Sequence, residues 1–371
     1  MIPVNEPLLN GNEGKYLNEC IKTGWISSEG PFIKQFEDRF SSTMGRKYGI
    51  AVANGSAALD IAVAAIGIKE GDEVIMPAFT IISPAASVVR AGGIPVLLDS
   101  DPNTWNMDTK QIEDKITKKT KAIMVIHIYG LPVDMKQVLE IAQKYNIKII
   151  EDAAEMHGQT CNGKACGSFG DVSIFSFYPN KHVTTGEGGM VVTNDSHLAD
   201  RCRSLRNLCF QAKKRFVHEE LGWNYRMTNM QAALGLAQLE RLDEFIAIKR
   251  QMGKRYTELL SGTPGLELPL ERTNYAENIY WVYGLVLKDN IAFDAEEAML
   301  RLGAQGIGTR PFFWPMHEQP VFNKMGLFIN EKYPVAEHLA LRGFYLPSGM
   351  ALKDEQIEEV AKQVKNILLN T

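Results

Sequence analysis

The chain has 371 residues, 45% of them hydrophobic, and a formal net charge of −4. That is enough apolar material for a large core divided between two domains, and the acidic balance excludes a general attraction to nucleic acid or an anionic membrane. The five cysteines, Cys20, Cys161, Cys166, Cys202 and Cys209, show no paired CxxC spacing; Cys161 and Cys166 lack a matching His/Cys pair, so reduced thiols and no metal are expected. Met1–Glu6 carries no basic region followed by an apolar run, and no apolar stretch reaches membrane-spanning length; a soluble, cytoplasmic protein is expected.

From about residue 48 to 195 apolar strands alternate with helical patterns, which predicts an α/β domain. Strands are expected at Tyr48–Asn54, Glu73–Met76, Pro95–Leu98, Ala122–His127, Lys148–Glu151, Asp171–Phe177 and Met190–Thr193, and helices at Ser56–Ile66, Pro84–Ala91 and Met135–Tyr145. Further on, Met230–Ile246 reads as one helix with a broad leucine face leading into a helical segment that ends near Gly262. Gly262-Thr263-Pro264-Gly265 marks a turn towards a smaller domain. That domain offers a strand at Trp281–Leu287, a helix capped by Asp294 and a terminal helix from about Asp354.

Three segments carry chemistry. In Asn54-Gly55-Ser56 a glycine between strand and helix lets free N–H groups converge at the positive helix end, a seat for phosphate, although a serine there also serves as an ordinary cap. Asp152 follows an apolar strand, at the carboxyl end where ligands bind in open α/β sheets; Glu155 is a weaker candidate, and Glu151 and Glu155 read equally well as solvated. Lys181 follows the largely apolar run Phe175–Tyr178 and precedes the turn Thr184-Thr185-Gly186-Glu187-Gly188-Gly189. Burial there lowers the amine pKa and favours condensation with an aldehyde. An Asp for a pyridine nitrogen and a Lys for an aldehyde carbon are the anchors of pyridoxal 5′-phosphate (PLP) chemistry. Ser176 is placed to bond the phosphate.

With Gly24-Trp25-Ile26-Ser27-Ser28-Glu29-Gly30, His127-Ile128-Tyr129-Gly130, Glu151-Asp152-Ala153-Ala154-Glu155, Asn224-Tyr225-Arg226-Met227-Thr228-Asn229 and Arg310-Pro311-Phe312-Phe313-Trp314-Pro315-Met316-His317, the chain resembles the DegT/DnrJ/StrS-type nucleotide-sugar aminotransferases over nearly its whole length. The resemblance implies an aspartate-aminotransferase-like α/β fold, PLP fold type I: an N-terminal segment and large domain with a mostly parallel central sheet over residues 1–249, and a smaller C-terminal α+β domain over 250–371. It implies that Lys181 is the Schiff-base lysine and Asp152 the pyridine partner. Gly55, Ser56 and Ser176 would hold the phosphate, with Ala57 and Glu155 also in the cofactor site. Asn224 would reach the cofactor phosphate of a neighbouring subunit, which makes a homodimer, or a dimer of dimers, the working unit. Trp25, Ser27, Tyr129, His182, Arg310 and His317 are the implied substrate-site residues. Where relatives place an aromatic against the cofactor ring, this chain has Ile81 in Pro77-Ala78-Phe79-Thr80-Ile81, so either Ile81 covers the ring or Phe79 does so from a shifted register.

The resemblance further implies transfer of an amino group from L-glutamate through pyridoxamine 5′-phosphate to a keto-sugar nucleotide. The segments Gly-Trp-Ile-Ser-Ser, Thr-Thr-Gly-Glu-Gly-Gly-Met and Asn-Tyr-Arg-Met-Thr-Asn match best the branch that aminates C4 of GDP-4-keto-6-deoxy-mannose for surface polysaccharide. Other keto-sugar nucleotides, or a small phosphorylated ketone, are the alternative acceptors. A related lyase branch, the sugar 3-dehydratases, has histidine in place of the lysine; His182, one residue beyond Lys181, keeps that reading open. A regulatory, DNA-binding role is disfavoured by the acidic charge and the lack of a basic recognition helix.

Overall fold

The computed structural model describes residues 1–211 and 213–369. Helices α1 (Glu13–Thr23) and α2 (Pro31–Thr43) precede the sheet region. There follow β1 (Tyr48–Val52), α3 (Gly55–Ile66), β2 (Glu73–Pro77), α4 (Ile82–Arg90), β3 (Ile94–Leu98), β4 (Thr120–Ile126), α5 (Met135–Tyr145) and β5 (Lys148–Asp152). A short hairpin, β6 (Thr160–Cys161) and β7 (Lys164–Ala165), leads to β8 (Val172–Ser176), β9 (Gly189–Thr193) and α6 (Ser196–Arg206). Among the described residues the large sheet has the order β1-β9-β8-β5-β4-β2-β3. Its pairs are parallel except for the two that β9 makes, which are antiparallel.

The strands are apolar because both faces are covered. Along β4, Met124 and Ile126 pack with α3, whereas Ile123 and Val125 pack with α2, α5 and a later helix, α7 (Asn229–Leu239). Successive side chains point to opposite faces of a strand, so this unbroken run builds two cores at once, and each fully buried Ile or Val contributes about 1.5–3 kcal/mol. The carboxyl ends of β2, β4, β5 and β8 open on one edge, together with the start of α3.

After α7 comes α8 (Leu242–Leu260), then β10 (Leu266–Glu267), β11 (Tyr283–Leu287), α9 (Ala295–Ala304), β12 (Arg310–Pro311), α10 (Pro320–Lys324), α11 (Pro334–Arg342), β13 (Gly343–Leu346) and α12 (Asp354–Leu369). The small antiparallel sheet, β10-β11-β13-β12 among the described residues, packs with α8, α9 and α12 in a core of its own. Asp294 caps α9 by accepting from the Glu297 N–H at 3.0 Å. The helix expected over Met230–Ile246 is two helices with a break at Glu240-Arg241. Residue 249/250, the expected domain boundary, falls inside α8, which runs from Leu242 in the core under the large sheet to Met252, Tyr256 and Leu260 in the small one. The five cysteines are free and buried. Among the described residues no helix is long and apolar enough to cross a membrane.

Candidate active site

A cavity of about 560 Å³ lies at the carboxyl edge of the large sheet. On one side stands the first turn of α3. Asn54, not Ser56, is its cap: Asn54 Oδ1 accepts from the Ala57 N–H at 2.8 Å. The N–H groups of Gly55 and Ser56 lie in the turn that has no intrahelical acceptors. Gly55 is required by close approach, since a Cβ there would stand 2.7 Å from Ser176 Cβ. Ser56 Oγ lies 2.8 Å from Ser83 Oγ, and Thr80 Oγ1 is buried in the wall with no partner among the described residues. Free N–H groups, a helix start and several hydroxyls form an anion seat.

Across the cavity, Lys181 is carried by a turn in which its N–H donates to Tyr178 O at 2.9 Å. Its Nζ lies 3.7 Å from Glu155 Oε1 and 3.8 Å from the centroid of the Trp281 ring. Burial lowers the Lys181 pKa, against the opposing pull of Glu155 and Asp152. Burial also raises Asp152 to about 6, although the Ala154 N–H donates to its Oδ1 at 3.0 Å. Glu155 is pushed up to about 8, again by burial, while its Oε2 accepts from the Tyr129 N–H at 2.6 Å. An amine whose pKa burial lowers thus faces a carboxyl whose pKa burial raises.

Gly55, Ser56, Ile81, Asp152, Glu155, Ser176 and Lys181 all line this one cavity. Ile81 is half exposed and lines it, whereas Phe79 is fully buried, packs against Tyr129, Phe312 and Phe313, and does not line the cavity. Other expected residues stand elsewhere. Ala57 is buried and its N–H is already taken by Asn54. His182 is buried in packing, with Nε2 3.4 Å from Ile279 O, and does not line the cavity. Tyr129 lies behind the wall, where its hydroxyl accepts from the Phe313 N–H at 3.1 Å. His317 is buried against Glu337, its Nε2 2.9 Å from Oε1. Trp25, Ser27, Asn224 and Arg310 are exposed and do not line the cavity of this chain. Glu151, which reads equally well as solvated in the sequence, is fully buried: burial raises its pKa, but bonds from His127 and from the Gly167 and Gly170 N–H groups outweigh this and hold it at about 2.

Sequence reasoning missed Trp281, Tyr345, Phe313, Asn180 and Thr80 as wall residues. Their signals were those of strands and turns. Tyr280, with φ 50°, turns the chain just before β11 and so brings Trp281 onto Lys181, a local conformation no periodicity announces.

Comparison with known proteins gives this arrangement its class. The family model described as the DegT/DnrJ/EryC1/StrS aminotransferase family matches residues 7–365, and the chain belongs to that family of PLP-dependent aminotransferases. Among curated relatives, GDP-perosamine synthase of Escherichia coli O157:H7 is 42% identical over 363 residues, 98% of this chain and 97% of the relative. GDP-perosamine synthase of Vibrio cholerae is 40% identical over 368 residues, 99% of both chains. The crystal structure of the aminotransferase TlmJ from Streptoalloteichus hindustanus superposes with a TM-score of 0.93 at 29% identity, covering 100% of this chain and 99% of that one. Fold type I, expected from the motifs, is thus the fold of the chain. The cavity fits PLP on its own terms: the space left by Gly55 and the unpartnered Thr80 hydroxyl suit a phosphate, and Asp152 and Lys181 face the same space.

Proposed function

We propose that the protein transfers the amino group of L-glutamate to the C4 ketone of GDP-4-keto-6-deoxy-D-mannose, forming GDP-perosamine for surface polysaccharide. The observation that carries this reading is the buried Lys181 amine, 3.7 Å from Glu155 Oε1 and sharing one cavity with Asp152 and the α3 anion seat; the relatives' names supply the acceptor. Bound PLP supplies an aldehyde carbon to carry nitrogen and a ring to take up electrons. Gly55, Ser56 and Ser176 would hold its phosphate, and Asp152, on the same cavity wall, would pair as a carboxylate with its ring nitrogen. The Lys181 amine would move the protons of both half-reactions, from the donor carbon to the cofactor carbon in the first and from the cofactor carbon to the acceptor carbon in the second, with Glu155 Oε1 3.7 Å from its Nζ.

The lyase alternative needs a histidine where Lys181 stands, and His182 is buried away from the cavity. The exposed positions of Trp25, Ser27, Asn224 and Arg310 are consistent with a site completed by a neighbouring subunit of a homodimer, or of a dimer of dimers. Five buried free cysteines suit a cytoplasmic enzyme.

The test is to incubate the PLP-loaded enzyme with glutamate and a panel of keto-sugar nucleotides, following products by mass spectrometry. The expected result is equal amounts of 2-oxoglutarate and GDP-perosamine, with UDP- and dTDP-linked ketones slower by about tenfold or more. Product from another ketone but none from the GDP-sugar would reject the acceptor and keep the aminotransferase.

A further inference from the structure

Lys249, in the middle of α8, is 1% exposed, and among the described residues no carboxylate lies within 4.0 Å of its Nζ. Its ammonium donates instead to two backbone carbonyls, Trp281 O at 2.7 Å and Ser348 O. A methionine would fill similar space without the cost of desolvating a charge, so stability alone does not call for a lysine here. What the two carbonyls have in common is the cavity. Trp281 lays its ring over Lys181, and its Nε1 donates to the carbonyl of Asn180, the residue before Lys181, at 2.9 Å. Ser348 follows Tyr345, another wall residue, and its Oγ accepts from the Tyr283 N–H at 2.9 Å.

We propose that Lys249 is a positioning residue for the transfer reaction: by holding the Trp281 carbonyl it sets the indole face against the Lys181 amine, and it keeps a second ammonium behind that amine. The proposal rests on the reading of Lys181 as the cofactor lysine. Burial, and then the charge of Lys181, lower Lys249 to about 7, and such coupling is mutual. Glu155 and Asp152, at and just beyond the end of β5, raise Lys181, while the buried His157 and His182 are themselves lowered, first by burial and in part by its charge. The carboxylates hold the proton on Lys181, and Lys249 opposes them.

The experiment uses the PLP-loaded protein and the variants K249M, K249R, W281A and K249M/W281A. The visible absorbance band is titrated with pH and its circular dichroism is recorded. In K249M the titration midpoint is expected to rise by about one pH unit, because a neighbouring cation is gone, and K249R is expected to restore it. The visible dichroism should fall by about half in both K249M and W281A, with no further fall in the double variant, since the two residues act through one ring. An unmoved midpoint with unchanged dichroism in K249M overturns the proposal, as does a double variant whose loss is the sum of the single losses. If K249M does not fold, W281A decides: unchanged dichroism there overturns it equally. A wild-type protein with no visible band would instead defeat the assignment of Lys181 itself.

Discussion

At Lys181 the decisive physics is burial: the side chain is 10% exposed, beneath an indole and beside one carboxyl, and burial lowers the amine pKa, which favours its neutral form. Lys181→Ala is expected to lower kcat by about a thousandfold or more while leaving the thermal unfolding midpoint nearly unchanged, measured by single-turnover transfer and by calorimetry. Asp152 makes a prediction about pH. Burial raises its folded pKa from 3.8 to about 6, so in the cofactor-free protein it gains a proton as pH falls through that value. Affinity for PLP, whose ring nitrogen needs a carboxylate opposite, should therefore hold above pH 6 and weaken below it by up to about tenfold per unit. Asp152→Asn should flatten that dependence; fluorescence titration with PLP at several pH values measures both. Asp152 and Lys181 were legible because each is a polar residue at the end of an apolar strand or run. Trp281 and Glu151 were not: one depends on the backbone turn at Tyr280, the other on partners brought from elsewhere in the chain.

Among the elements, β4 and β5 are tied at the edge that bears the site. Glu151 on β5 accepts from the Phe169 N–H at 2.9 Å, the Gly170 N–H at 3.0 Å and Ser173 Oγ at 2.9 Å, and from the Gly167 N–H at 2.5 Å. His127, at the end of β4, accepts at Nδ1 from the Val133 N–H at 3.1 Å, which leaves Nε2 to donate to Glu151 Oε1 at 3.2 Å. The folded carboxyl has a pKa of about 2 against 4.5 ordinarily. The unfolded chain therefore binds the proton more tightly: the contribution of Glu151 to stability is full above about pH 4.5 and is lost as pH falls towards 2. Glu151→Gln should cost about 2–4 kcal/mol in urea unfolding at pH 7, with a smaller difference from wild type at pH 3. The strands were readable where the pattern was local, as in β4, and Met135–Tyr145 was readable as α5 from its amphipathic period. The break between α7 and α8 was not, because it depends on distant partners: Glu240 accepts from Tyr16 at 2.7 Å, and Arg241 donates to Asn10 Oδ1.

At the scale of the whole molecule, the cavity lies between the large sheet's carboxyl edge and residues of the small domain, Phe313 and Tyr345. Asn224 is exposed and outside it. If Asn224 serves a neighbour, co-expressing Lys181→Ala with Asn224→Ala should give hybrid dimers in which one site has both residues intact. About a quarter of wild-type activity is then expected from two nearly inactive variants; mixtures no more active than their parents would show that the sites are not shared. The most direct test of the central claim is borohydride reduction of the PLP-loaded protein followed by peptide mapping. The account predicts a single phosphopyridoxyl group on Lys181, absent from Lys181→Ala; label on Lys249 or another lysine, or none at all, would contradict it.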